Sequence, residues 1–246
     1  AYINPTSDIK SLEKLKKLIQ QGRVELVLPS QTKQEFIRHF KEKVSEKKEK
    51  LKKSETQFSI PNELKSEKKK RYTEQEKTIT KKIDSLNSDL KKYRIQRIAE
   101  FRKHIETVEK LINEIFKLAT FFEYTDEIVL RAVIRYVKDL PPKKNDDKFG
   151  DAIIWETLKE NIKREDIVIV SFDSDFYEKE EKNKNKERKF VINKLLASEW
   201  KKHADKKLSV YPYLGQFVNT IDKKDKVSPE TIKKEASQAS VFTNAT

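Results

Sequence analysis

The chain has 246 residues, of which 35% are hydrophobic and 39% charged, so it is long enough for one large domain or two small ones. It contains no cysteine, which excludes disulfides, thiolate zinc sites and a cysteine nucleophile. Three scattered glycines are too few for a Walker loop or a dinucleotide-binding fingerprint. Carboxylates remain abundant, so we expect any chemistry to use oxygen ligands and a Mg²⁺ or Mn²⁺ ion. No apolar run approaches the ~20 residues of a membrane span, and we expect a cytoplasmic protein.

The net charge is +14, from 55 basic and 41 acidic residues, which suits a polyanionic partner such as nucleic acid. Of the basic residues, 45 are lysine and 10 are arginine. Arginine is the side chain that binds phosphate in a bidentate manner, so the lysine excess also fits the compositional bias of an AT-rich genome.

The first forty residues alternate helix and strand. Thr6 or Ser7 can cap a helix that ends at Gly22. A short alternating strand follows at residues 24–28, and Ser30 can cap the next helix after Pro29.

The middle of the chain, residues 41–119, is polar and basic, with 22 basic and 13 acidic residues between positions 41 and 110. Residues 54–62 predict a turn. Beyond the turn, apolar residues recur at alternating spacings of four and three, with one slip between Leu90 and Ile98. This pattern predicts one long helix over about residues 73–119, with a coiled-coil seam, folded back antiparallel on a helix over residues 31–53.

Beyond Tyr124 the alternation of helix and strand returns. The predicted elements are a helix capped by Thr125, a helix over residues 149–162, a strand at Ile167–Val170 buried on both faces, a helix through Trp200, a strand at Leu208–Tyr211, a short helix from Leu214 and a polar tail over residues 223–246. Alternating strands and helices predict a parallel α/β sheet formed by residues 1–40 and 120–222, into which the helical hairpin 41–119 is inserted.

Acidic residues follow the predicted strands. Asp173 and Asp175 come directly after the strand Ile167–Val170, Asp151 begins a helix after Gly150, and Glu35 lies near the start of the helix after the first strand. Functional groups gather at the carboxyl ends of parallel strands, so these carboxylates can converge. Converging carboxylates repel one another unless a cation neutralises them, which predicts a divalent metal site.

Each acid also has an ordinary structural interpretation. Asp151 could be a helix N-cap, the two later aspartates could be turn residues, and Glu35 could pair with Arg38 or His39. The combination of these positions, rather than any one of them, favours a functional site.

Four stretches in this order resemble the PIN-domain nucleases, and among them a bacterial PIN-like group with a long helical insertion. The stretches are Leu28-Pro29-Ser30 leading into the helix with Glu35, Gly150-Asp151-Ala152-Ile153-Ile154-Trp155-Glu156, Val170-Ser171-Phe172-Asp173-Ser174-Asp175-Phe176 and Leu208-Ser209-Val210-Tyr211. The resemblance covers residues 24–40 and 124–218, with the hairpin as the variable insert.

The resemblance implies a PIN-like parallel sheet flanked by helices, which holds Mg²⁺ or Mn²⁺ for hydrolysis of a phosphodiester. It implies a role for six residues: Glu35, Asp151 and Asp173 as the second, third and fourth acids of the family, Asp175 as an auxiliary acidic ligand, Ser171 as a hydroxyl beside the site and Arg135 as a basic residue ahead of the third acid. The first acid of the family has no counterpart, because residues 1–4 resemble the run just beyond it. We therefore expect the chain as given to be weakly active or inactive.

The favoured function is a metal-dependent endoribonuclease whose basic hairpin holds the substrate. The resemblance also implies a toxin or phage-defence role with a regulatory protein partner. The alternatives are a DNA or flap nuclease and, from another class, a non-catalytic coiled-coil adaptor that forms homo-oligomers through the heptad seam.

Overall fold

The computed structural model describes residues 8–53, 70–142, 149–171, 173–180 and 189–243. The predicted turn at residues 54–62 and the run at residues 1–4 lie outside these ranges. The chain divides into two compact units, one formed by Ala1–Phe40 and Val108–Thr246, the other by Lys41–Thr107. Within the described ranges, no helix has the length and apolar content that crossing a bilayer needs.

Short parallel strands confirm the predicted α/β class. Strand β1 (Val27–Pro29) pairs in parallel with β2 (Thr120–Phe122), so that Leu28 lies opposite Phe121. Strand β3 (Ile167–Val170) pairs in parallel with β6 (Leu208–Tyr211), so that Ile169 lies opposite Val210. Strands β4 (Tyr177–Glu180) and β5 (Lys189–Ile192) form an antiparallel pair.

The helices surround these strands. Their bounds are α1 (Ile9–Gln20), α2 (Ser30–Lys53), α3 (Lys70–Leu118), α4 (Asp126–Val137), α5 (Gly150–Asn161), α6 (Lys194–Ala204), α7 (Leu214–Ile221) and α8 (Pro229–Thr243), with a short 3₁₀ helix at Ser174–Phe176. Helix α5 packs against α4, β1 and β2, while α6 and α7 pack against β6.

Polar side chains fix where several helices begin. Thr125 caps α4 as predicted, with its hydroxyl accepting a hydrogen bond from the Ile128 N–H at 3.4 Å. Asn193 caps α6 by accepting from the Leu195 N–H at 3.0 Å. The cap of α1 is Asp8 rather than Thr6 or Ser7, since its carboxylate accepts from the Lys10 N–H. A side-chain oxygen at this position satisfies an N–H that the helix leaves without an internal partner.

An aromatic core lies against β3 and β6. Trp155 of α5 and Trp200 of α6 are fully buried, and their ring centroids are 6.0 Å apart. Phe176 of the 3₁₀ helix and Val210 of β6 belong to the same buried cluster. Burying such side chains stabilises the fold by roughly 1.5–3 kcal/mol each. The core therefore fixes both the helix that carries Asp151 and the turn that carries Asp173.

Helix α3 runs unbroken over 49 residues, which confirms the predicted long helix. In the first unit, the ring of Phe36 on α2 meets that of Phe116 on α3 edge to face, with centroids 5.4 Å apart. In the other unit, Ile79, Leu86 and Tyr93 recur every seven residues and are 50%, 54% and 61% exposed. The coiled-coil seam and the antiparallel pairing along its length stay predictions.

Several elements differ from expectation. Val168 is 40% exposed, so β3 is not buried on both faces; an apolar β-branched run marks a strand without determining what covers it. Strand β2 and the β4–β5 pair did not emerge from the sequence patterns. Part of the expected polar tail forms α8, whose residues Thr231 and Glu235 are buried.

Candidate active site

Glu35 lies in the second turn of α2, close behind the carboxyl end of β1. Its Oε1 accepts a hydrogen bond of 2.9 Å from Nε2 of Gln31, one helical turn earlier. Residues four apart on a helix face the same side, so this bond orients the carboxylate from within its own helix. Gln31 was not predicted as a partner of Glu35, although the spacing of four residues is a signal for such a pair.

The carboxylate of Glu35 lies directly against the backbone of Gly150. A Cβ added to Gly150 would be 2.1 Å from Oε1 of Glu35, closer than real Cβ atoms come to a neighbour, and 3.2 Å from its Cδ, which is a tight contact. Glycine at this position therefore allows the Glu35 carboxylate to lie against the backbone, and a larger residue would displace the end of the Glu35 side chain. Glu35 thus lies against Gly150, the residue that precedes Asp151 in the chain.

Asp151 lies in the first turn of α5 and is half-buried. The N-cap of α5 is Phe149, which makes no side-chain capping hydrogen bond, so Asp151 is not the N-cap. Free N–H groups give the start of a helix a positive partial charge, which favours carboxylates nearby. The start of α5 accordingly offers an electrostatic reason for Glu35 and Asp151 to lie together.

Asp173 follows β3 and caps the 3₁₀ helix Ser174–Phe176. Its Oδ1 accepts a hydrogen bond of 3.1 Å from the N–H of Asp175, and its own N–H donates to Oγ of Ser171 at 3.1 Å. Oδ1 of Asp173 thus stabilises the turn, in agreement with the interpretation of Asp173 as a turn residue. Ser171 is buried and Asp175 half-buried, so the turn is tightly held at the end of the strand.

Tyr177 adjoins the Asp173 turn. Burial raises the pKa of the Tyr177 phenol, and the nearby ionisable groups Tyr213 and Asp173 raise this pKa further.

Arg135 lies in a buried ion-pair network. Its guanidinium, only 4% exposed, donates two hydrogen bonds from Nη1 to Glu199, at 2.9 and 3.0 Å, and a third from Nη2. Its Nε is 3.4 Å from Oε1 of Glu156, and the Trp155 indole also donates to Glu199. These contacts join α4, α5 and α6, which gives Arg135 a structural role; the auxiliary role that the resemblance implies stays a prediction.

The described acids form two local groups. Glu35 lies against Gly150 at the start of α5, one residue before Asp151, and Asp173 lies with Asp175 after β3. Across the described residues, no cluster of three or more His, Asp or Glu side chains is close enough to hold a metal ion. Convergence of Glu35, Asp151 and Asp173 on one ion stays a prediction. The side chains themselves fit Mg²⁺ or Mn²⁺, because carboxylate oxygens are the donors that hard divalent cations prefer.

Comparison with protein families identifies the fold. A family model of the PIN domain matches residues 5–176, which is well over half of the chain and includes Glu35, Asp151, Asp173 and Asp175. No curated protein and no solved structure gives a significant match. PIN domains are in general metal-dependent nucleases that act on nucleic acid. The chain belongs to the PIN-domain family.

Proposed function

We propose that this protein is a cytoplasmic, Mg²⁺- or Mn²⁺-dependent nuclease that hydrolyses phosphodiester bonds, with RNA as the favoured substrate. The observation that carries the proposal is the packing of the Glu35 carboxylate against Gly150, beside Asp151. Carboxylate oxygens are the donors that Mg²⁺ and Mn²⁺ prefer, and Glu35 lies against the residue that precedes Asp151. Membership of a nuclease family supplies the reaction class.

Glu35, Asp151 and Asp173 would hold the ion, with Asp175 as an additional oxygen donor. A bound divalent ion lowers the pKa of water and neutralises charge on a phosphoryl group. The protein's own contribution is orientation: Gln31 holds Oε1 of Glu35, and the Asp175 N–H holds Oδ1 of Asp173. Such hydrogen bonds reduce the freedom of the carboxylates before substrate arrives.

The charge of the chain supports a nucleic-acid substrate. Of the net charge of +14, the largest share comes from residues 41–110, which hold 22 basic and 13 acidic residues. Lysine contacts to phosphate release counterions and carry no base information. We therefore infer that the basic segment holds the substrate backbone, with weak sequence preference and an affinity that falls as salt rises.

The family resemblance extends the proposal to a toxin or phage-defence effector that a protein partner restrains. Expression of the active protein should then arrest growth of a bacterial host, and an Asp151→Asn variant should not. Equal growth with both proteins would remove this part of the proposal and leave the nuclease activity itself to be tested separately.

The direct test of the nuclease proposal is cleavage of a labelled panel of single-stranded RNA, single-stranded DNA and duplexes. Each substrate is incubated with Mg²⁺, with Mn²⁺ and with a chelator. The expected result is cleavage of RNA with either metal and none with chelator. Cleavage that persists in chelator would contradict the metal-dependent mechanism, and preferential cleavage of branched DNA would favour a flap nuclease.

A second candidate function is a non-catalytic adaptor. The exposed residues Ile79, Leu86 and Tyr93 on α3 share a seven-residue spacing, which is the repeat of a coiled-coil seam. An adaptor of this kind should form homo-oligomers that dissociate when Leu86 is replaced by Lys. A monomeric wild-type protein, measured by light scattering across its concentration range, would exclude this function.

A further inference from the structure

Three aromatic rings, each in contact with the next, lie near the carboxyl ends of β3 and β6. The rings of Tyr177 and Phe190 meet edge to face with centroids 5.1 Å apart, and those of Phe190 and Tyr213 do so at 6.1 Å. We call these three residues the aromatic row. Tyr177 follows the turn after β3, and Tyr213 comes two residues after the end of β6.

The row is built on fixed backbone. In the β4–β5 pair, Tyr177 lies opposite Ile192 and Phe190 lies opposite Lys179, which places both rings on one face as diagonal neighbours. Tyr213 precedes α7, whose first turn is held by a hydrogen bond of 3.0 Å from the Gly215 N–H to the buried carboxylate of Glu235. Strand pairing and a helix terminus therefore hold the backbone that carries the three rings.

Each ring of the row is only half-buried, so each keeps a part of its surface toward solvent. Tyr177 packs against the core below β3, which accounts for its buried side. In this respect the row differs from Trp155 and Trp200, which are fully buried.

The row begins beside a candidate metal ligand. Tyr177 is the C-cap of the 3₁₀ helix Ser174–Phe176, and Asp173 is the N-cap of the same helix, so only this three-residue turn separates the row from Asp173. A nucleotide whose phosphate lay at Asp173 would thus have its neighbouring base within reach of the rings. Aromatic side chains stack on any unpaired base, because every base has a π face.

We propose that Tyr177, Phe190 and Tyr213 form a stacking platform for an unpaired nucleobase next to the phosphodiester that is cleaved. The proposal rests on the proposed function for the position of the scissile bond, but stacking itself requires no catalysis. A stacking platform favours single-stranded nucleic acid as the substrate, because a paired base must first lose the free energy of pairing and stacking in its duplex. Loss of one stacked base typically weakens single-strand binding by ~5- to 150-fold.

The test uses a short single-stranded oligonucleotide with one 2-aminopurine, a fluorescent base whose emission falls on stacking. Binding is measured with chelator present, so that neither metal nor cleavage enters the result. Wild-type protein should quench the emission, and a matched duplex should not be quenched. Tyr213→Leu and Phe190→Leu should each remove most of the quenching and weaken binding about tenfold.

Two controls separate stacking from folding and from charge. Tyr213→Phe keeps the ring and should retain the quenching, while Leu130→Ala removes an exposed apolar side chain of α4 and should change neither quenching nor affinity. Circular dichroism of each variant confirms that it is folded. A wild-type protein that binds the single strand without quenching overturns the proposal, as does a folded Tyr213→Leu variant that quenches like wild type. A protein that quenches but never cleaves with any metal would refute the nuclease function while retaining the platform.

Discussion

Replacement of Gly150 by alanine should impair metal binding and cleavage while it leaves the unfolding free energy of the protein nearly unchanged. The new Cβ would be 2.1 Å from Oε1 of Glu35, whereas ordinary contacts are 3.4–4 Å, so the carboxylate must move by more than 1 Å. The Nε2 of Gln31, at 3.5 Å, need not move. A shift of about 1 Å in a catalytic constellation can cost ~10²-fold in rate, so we expect a loss of that order in metal affinity and cleavage.

The unfolding free energy should change little in the same variant. Alanine is a better helix former than glycine by up to ~1 kcal/mol, and the displaced Gln31–Glu35 hydrogen bond is worth about as much. Thermal unfolding should therefore agree with wild type to within roughly 1 kcal/mol. Metal affinity is measured by calorimetric titration of Mn²⁺, and activity by single-turnover cleavage.

A double-mutant cycle identifies the cause. With Glu35 replaced by alanine, the methyl group at position 150 has no carboxylate to displace, so the second substitution should have no further effect. Gly22→Ala is the matched control: Gly22 has a φ of +66° and no neighbour within 4 Å, so its loss should cost about 1 kcal/mol of stability and leave metal binding unchanged. A Gly150→Ala effect that persists without the Glu35 carboxylate would refute the reasoning.

Three further outcomes are expected. Arg135→Met should lower the unfolding free energy by ~1.5–3 kcal/mol in chemical denaturation, because Glu199 and Glu156 lose their hydrogen-bonded guanidinium and keep only Lys159 as a shared cation; a loss below ~1 kcal/mol would contradict this role. Burial raises the pKa of Glu235, so its contribution to stability declines as pH rises from the unfolded-state value through the folded-state value; Glu235→Gln keeps an acceptor for the Gly215 N–H and should remove that decline in melting temperatures taken from pH 4 to pH 7. Nucleic-acid affinity should fall steadily between 50 and 200 mM salt, and a flat response would reduce the lysine excess to compositional bias.

Sequence patterns predicted the helices and strands whose formation depends mainly on residues within the same segment. The apolar repeat of α3, the Thr125 cap of α4 and the apolar run of β3 each contain the full signal within a few turns or residues. Glycine before Asp151 was noted as part of a motif, and the structure gives the physical reason, which is the space taken by the Glu35 carboxylate.

Sequence patterns did not predict contacts between segments that are far apart in the chain. Strand β2 has three residues directly after α3, and it becomes a strand only through pairing with β1, some ninety residues earlier. Arg135 was interpreted from its position ahead of Asp151, but its partners Glu156 and Glu199 are brought to it by the packing of α5 and α6 on α4. Spacing along the chain cannot reveal partners that only tertiary packing supplies.

The most direct test of the metal-nuclease account compares Asp151→Asn with Asp126→Asn. Both aspartates lie in the first turn of a twelve-residue helix, α5 and α4 respectively, so both substitutions change helix electrostatics in the same way. Mn²⁺ binding and RNA cleavage are measured for both variants, together with thermal unfolding. The account predicts that Asp151→Asn abolishes both activities and stays folded, while Asp126→Asn behaves as wild type. An Asp151→Asn variant that binds Mn²⁺ and cleaves as fast as its parent would contradict it.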